Sequence, residues 1–295
     1  MSVDRPVLFR RATGRGWERS GRAAPFGDGP AWRSASRYVA GRTAEDALRV
    51  CRKLAGRGVA SSVGYVGYVG GTGREPSAAR RVTEIYLRLA AQLHDLPEGV
   101  WLSVDLTRLG LDTDPGACAA RLAEIARALP AGRRLQVGAE NEARAEATVS
   151  CVTKVAGEGL ADRLGATAQA NLRRTPDDLA RLTEAGVAIR LVKGAYTEPE
   201  DRALPFGEPV DVAFVRLAHR LRAAGAEFSL ATHHGVVREA LLEALGPVTV
   251  EQVYGMRPEA VEDLTSRGVP VRLYVPFGGN RFRHWMRRLA EPRRA

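Results

Sequence analysis

Between residues 58 and 275 a short run of apolar, often β-branched residues recurs eight times, and a longer stretch with apolar residues at every third or fourth position follows each of the first seven. The short runs fall near 58–66, 100–106, 133–139, 164–170, 188–195, 226–233, 248–254 and 269–275. The 3–4 spacing predicts helices over 76–96, 114–129, 141–158, 175–186, 209–224, 234–246 and 257–267, with another after the last strand. Strands that alternate with helices pair in parallel, because a parallel pair needs a crossover and the crossover helix covers the sheet. Eight such units over about 240 residues have the size of a closed (β/α)8 barrel of the TIM type, in preference to an open doubly wound sheet. Such a barrel carries its chemistry at the C-terminal ends of the strands.

Local punctuation agrees with this division. Gly58, Gly186, Gly225 and Gly268 each precede a strand, where a left-handed residue ends the helix before it. Thr43, Asp114-Pro115 and Thr175-Pro176 mark helix starts. Residues 1–37 are rich in Arg, Gly, Pro and Ser without a period and read as an irregular basic arm, which leaves 38–295 as a single barrel domain.

The formal charge of +10 is concentrated at the two ends. Residues 1–60 hold 13 basic against 5 acidic groups, residues 281–295 hold 6 against 1, and the body between is close to balanced. Nucleic acid is therefore not the expected partner, and no basic stretch interleaved with aromatics supports one. Three cysteines, Cys51, Cys118 and Cys151, lie apart in the sequence without metal-ligand spacing, so neither a disulfide framework nor a zinc site is expected. No apolar run reaches ~18 residues, and a reducing, cytoplasmic setting is the expectation.

In the barrel reading, residues 64–68, 105–108, 138–140, Gln169, 190–196, 232–234, 251–254 and Tyr274 form the strand ends and line one pocket. The fifth of these is the most informative, because Arg190 and Lys193 flank an apolar strand in a chain with only three lysines. Two such cations call for a cofactor, a substrate or a carboxylate. Gly67, Gly70, Gly71 and Gly73 follow the first strand, but their order is not that of a dinucleotide fingerprint. His233 and His234 are adjacent in a strand-like run and point to opposite faces, which argues against one shared metal. Arg287 and Arg288, with Glu291 one turn on, either complement a helix C-terminus or clamp a carboxylate.

Taken together, RLVKGAY at 190–196, LATHH at 230–234, VYGM at 253–256 and YVPFG at 274–278 followed by RRLAE at 287–291 resemble the proline dehydrogenase family. Weaker echoes, RYVAGRTAEDAL, VDLTRLGLD and AQANLRR, occur in the expected order, so the likeness runs from about Arg37 to Glu291. The resemblance implies a (β/α)8 barrel that binds FAD and oxidises the C–N bond of proline or a proline-like amino acid to an imine, by hydride transfer to flavin N5. It implies that Arg190 lies beside the reactive edge of the flavin and that Ala139, Gln169, Lys193, Gly194, Ala195, Thr232 and His233 contact the cofactor. Arg287 and Arg288 would grip the substrate carboxylate, on a helix that covers the substrate, and Tyr274 would wall it. A membrane quinone as electron acceptor, with peripheral contact at the inner membrane face, is a further implication.

The departures from the family pattern cluster on one wall. Asp105 stands where the family has a lysine, Gly138 where it has an aspartate, and 64–68 lack two further acids. Residues 279–285 replace the acid and aromatic residues that usually follow YVPFG. Asp105, with Glu140 as its neighbour, is the expected substitute for ordering the substrate amine, or the partner of an extra cation on a larger substrate. The rivals to proline chemistry are a flavoenzyme of a biosynthetic pathway acting on a different amine or amino acid, and a non-catalytic ligand-binding barrel.

Overall fold

The computed structural model describes residues 37–67, 76–194 and 196–278. Among these, eight parallel strands close into a barrel in sequence order, from β1 (Ala60–Tyr65) to β8 (Val271–Phe277), with β8 paired to β1. The others are β2 (Val100–Val104), β3 (Leu135–Val137), β4 (Leu164–Gln169), β5 (Ala188–Val192), β6 (Phe228–Ala231) and β7 (Thr249–Val253). Helix α1 (Ala44–Ala55) precedes the barrel, and α2 (Pro76–Gln92), α3 (Pro115–Ala128), α4 (Glu142–Val155), α5 (Thr175–Glu184), α6 (Glu208–Ala223), α7 (Gly235–Leu245) and α8 (Pro258–Ser266) follow β1 to β7 in turn. Barrel and helices were both legible from the apolar spacing. The basic arm 1–36 and the helix expected after β8 lie outside the described residues, as do Gly70, Gly71 and Gly73.

The core lies between strands and helices. Val63, Leu102, Val104, Leu135, Val137, Leu164, Leu191, Leu230, Val250 and Val275 are fully buried on the outward face of the sheet, against helix residues such as Leu48, Leu89, Leu122 and Phe214. Alternate strand residues point into the barrel. Here that face is polar, with Ser62, Gln136, Thr167, Arg190, Ser229 and Glu251, where barrels commonly stack branched apolar layers. At the N-terminal end Arg272 stacks 3.3 Å over the Trp101 ring and Arg134 lies 5.2 Å from it, paired with Glu227. This plug closes the floor and leaves the C-terminal ends as the open face.

All four glycines expected to end helices have positive φ, between 63° and 74°. Each donates its N–H three residues back while the next residue bonds a leucine carbonyl five back: Val59 to Leu54, Val187 to Leu182, Ala226 to Leu221 and Val269 to Leu264. The same cap thus returns four helices to the floor of the barrel. Thr43 forms the capping box of α1 with Asp46, and Asp114 caps α3. Thr175 is a correction. It is the first residue inside α5, and its hydroxyl donates to the Gln169 carbonyl, so it ties α5 to the end of β4. Cys118 of α3 and Cys151 of α4 are both buried free thiols, and the Cys118 thiol donates to the Leu106 carbonyl.

Candidate active site at the C-terminal mouth of the barrel

Two walls of opposite character face each other across the strand ends. On the β2–β3 side, the β2 strand stops at Val104 and Asp105 opens a tight helical turn over Leu106–Leu109. The Asp105 side chain is 48% exposed and does not cap that turn. It lies instead against Gly138, where an added Cβ would collide with its Oδ1. Beside it Glu140 is buried and accepts from both the hydroxyl (2.8 Å) and the N–H (3.2 Å) of Thr107. Burial, and then the Asp105 carboxylate, push the Glu140 carboxyl up to about 7.

The β4–β6 side is rich in donors. Gln169 closes β4 and gives its side-chain N–H to the Glu140 carbonyl at 2.8 Å, which joins the two walls. Beyond β5, the Lys193 ammonium bonds Asp211 of α6 and sits 2.7 Å from His234 Nδ1, itself 3.3 Å from Asp211. Thr232 Oγ1 accepts the His234 N–H at 3.1 Å. Helix α7 starts there with no side chain capping it, so the first turn of N–H groups points to the mouth. Gly194 has φ +141°, and a Cβ there would run into the Asn171 amide. Asn171 is 1% exposed, and among the described residues neither the nitrogen nor the oxygen of its amide has a hydrogen-bond partner.

The loop between β5 and α6 is drawn across this opening. Tyr196 donates to the Ala139 carbonyl (3.1 Å), Glu198 accepts the Glu142 N–H (2.8 Å) and Leu204 donates to the Asn171 carbonyl (2.7 Å). On the β8–β1 side, the Tyr274 ring fills the space over Gly64, which could not carry a Cβ without displacing it.

Arg190 corrects the sequence reading. It is not at a strand end but two residues inside β5, pointing into the barrel, and it is 8% exposed. Its partner is a carboxylate of the chain itself: Nη2 lies 2.5 Å and Nε 2.7 Å from Glu251 Oε2, and Nη2 donates to Ser62 at 3.2 Å. Glu251 and Tyr274 are likewise within strands rather than at their ends. Of the other residues singled out, Asp105, Ala139, Gln169, Lys193, Gly194, Thr232 and His233 all fall at strand ends or just beyond them. Ala195, Arg287 and Arg288 lie outside the described residues. Asp211 and Asn171 had not been singled out, and Glu251 only as the start of a strand end, with no partner named. For Glu251 the signal was present, since an acid inside VTVEQV, on the inward-facing parity, must meet a cation.

With this geometry in view, the likenesses to known proteins can be placed. The family model described as proline dehydrogenase matches residues 47–294. The chain belongs to the proline dehydrogenase family. Proline dehydrogenase of Deinococcus radiodurans is 29% identical over 277 residues, covering 90% of this chain and 88% of that one. Proline dehydrogenase 1 of Bacillus subtilis subsp. natto is 28% identical over 268 residues, with 87% and 86% covered. The proline utilization A structure from Bdellovibrio bacteriovorus, inactivated by N-propargylglycine, superposes with TM-score 0.80 at 21% identity over 88% of this chain. That from Corynebacterium freiburgense gives 0.73 at 17% identity over 98%. The chain spans 33% of the length of each of these two larger proteins, and the likeness to them is one of fold. This member of the family has a donor-rich β4–β6 wall and carries Asp105 and Gly138 opposite it.

Proposed function

We propose that this family member is an FAD-dependent oxidoreductase that converts the C–N bond of proline, or of a closely related amino acid, to an imine. The observation that carries the reading is the pairing of a donor-rich wall with an acidic wall at one barrel mouth, in a chain of this family. The donor set fits a phosphate-bearing, electron-rich cofactor: an ammonium at Lys193, the uncapped start of α7, and the orphaned Asn171 amide behind Gly194. Gln169, Lys193, Gly194, Ala195, Thr232, His233 and Ala139 are the residues proposed to hold it. Bound there, the flavin supplies the hydride acceptor.

The chain's own residues have two tasks. One is to bind the amino acid, through Arg287 and Arg288 at its carboxylate, and through Tyr274 along its ring. The other is to present the amine in its neutral form, because the nitrogen lone pair must be free to form the C=N bond as hydride leaves the adjacent carbon. Asp105 is the residue proposed to orient the amine: it is accessible, it is not engaged as a helix cap, and its carboxylate occupies the space left by the absent side chain of Gly138. Glu140, raised to about 7, can take or return a proton near neutral pH.

The test has two parts. Incubation with FAD should give a yellow protein with a bound-flavin spectrum; a folded protein that stays colourless would remove the cofactor from the account. In that flavoprotein D105N should raise KM for the amine substrate by about tenfold or more, the worth of one charge-assisted hydrogen bond, and leave FAD affinity unchanged. An unchanged KM would take Asp105 out of the site.

A further inference from the structure

Beneath the mouth lies a charged layer whose carboxylate, Glu251, has no role in the proposed reaction. Arg190 from β5, Glu251 from β7 and Arg272 from β8 all point into the barrel, with Ser62 of β1 and Ser229 of β6 between them. One Glu251 oxygen binds the Arg190 guanidinium at 2.5 Å; the other accepts from Ser229 at 2.7 Å and lies 4.0 Å from Arg272. Glu251 is 4% exposed. Two guanidiniums therefore share one carboxylate, and the layer carries a single net positive charge shielded from water. Burial alone would push the Glu251 carboxyl up, but Arg190 and Arg272 hold it below the ordinary value, and Arg272 is lowered only to about 10, so Glu251 and Arg272 are both ionised at neutral pH.

A fixed charge in a low-dielectric barrel acts on whatever sits at its open end, and more strongly than it would in water. An acceptor that gains a hydride gains negative charge, so a positive floor favours the reduced form and each compensating carboxylate disfavours it. Had a cation alone been wanted there, Ser62 and Ser229 with a neutral amide would satisfy the Arg190 guanidinium. Instead the chain buries a full carboxylate, fixed by a hydroxyl and two guanidiniums.

We infer that Glu251 is a positioning residue that sets the reduction potential of the bound cofactor through Arg190, by cancelling one of the two positive charges under the barrel mouth. This rests on the proposed flavin site. In the FAD-loaded protein, E251Q keeps the shape of the side chain and an acceptor for Arg190, its amide N–H donating to the Ser229 hydroxyl instead of accepting from it, while raising the layer to two positive charges. The two-electron midpoint potential, measured by dye-coupled reductive titration, should rise by about 30 mV or more, a tenfold shift of the redox equilibrium.

R272Q removes a positive charge from the same layer and should move the potential in the opposite direction. A merely structural role would loosen the site in both variants and would not give shifts of opposite sign. If E251Q does not fold, R272Q alone decides. Potentials that stay at the parent value, or that move together in the two variants, overturn the inference and leave the flavin site standing. A parent protein that takes up no flavin removes both.

Discussion

Glu140 joins both walls of the mouth and carries a carboxyl held near neutrality by burial and by Asp105. In the unfolded chain the group titrates near 4.5, whereas in the fold it keeps its proton to about 7. Between those values the folded state binds more protons, so this residue makes stability fall as pH rises through the window, by up to about 1.4 kcal/mol per unit. E140Q cannot ionise and still accepts from Thr107. It should therefore melt higher than the parent at about pH 8 and level with it at about pH 5; thermal unfolding followed by circular dichroism checks this, and identical pH profiles would contradict it. Residue identity was legible from sequence where a motif carried it, as with Lys193 and Gly194. It was not legible where meaning depends on a partner from a distant strand. Arg190 read as a cation waiting for a ligand because Glu251 lies 61 positions away, and only barrel closure brings the two within 2.7 Å.

The connecting loops separate function from stability by the end of the barrel on which they lie, βα loops at the mouth and αβ turns at the floor. At the mouth, Gly194 is required twice over, by its φ of +141° and by the Asn171 side chain packed where a Cβ would stand. G194A should cost about 1–3 kcal/mol from backbone strain alone and should also weaken FAD binding, readable as a lower melting temperature and a raised Kd. At the floor, Gly225 has open space around its missing side chain, so only its φ of +63° is at stake. G225A should cost about 1–2 kcal/mol, a fall of a few degrees in Tm, with FAD affinity untouched. G225N should recover part of that, because asparagine tolerates the left-handed region; equal losses in the two variants would count against the cap. These four floor turns were readable in advance, since a glycine stands just before β1, β5, β6 and β8. The loop after β5 was not, because its bonds to Ala139, Glu142 and Asn171 join segments that show no common pattern in the sequence.

At the scale of the whole molecule, the periodicity of apolar runs determines the barrel, and the barrel decides which residues meet. A polar interior is the consequence of placing Ser62, Gln136, Thr167, Arg190, Ser229 and Glu251 on the inward parity of six different strands, and it puts a charged layer beneath the barrel mouth. Among the described residues no helix is long and apolar enough to cross a membrane. The donor-rich wall holds Lys193 and Gly194 of the RLVKGAY motif, while Asp105 and Gly138 stand on the opposite wall. The central claim is that the two walls still meet in one oxidative site. Anaerobic addition of proline to the FAD-loaded protein tests it most directly. Bleaching of the bound flavin by proline or a close secondary amino acid, slowed in D105N, is the predicted result; a flavin spectrum that no such amine alters would contradict it.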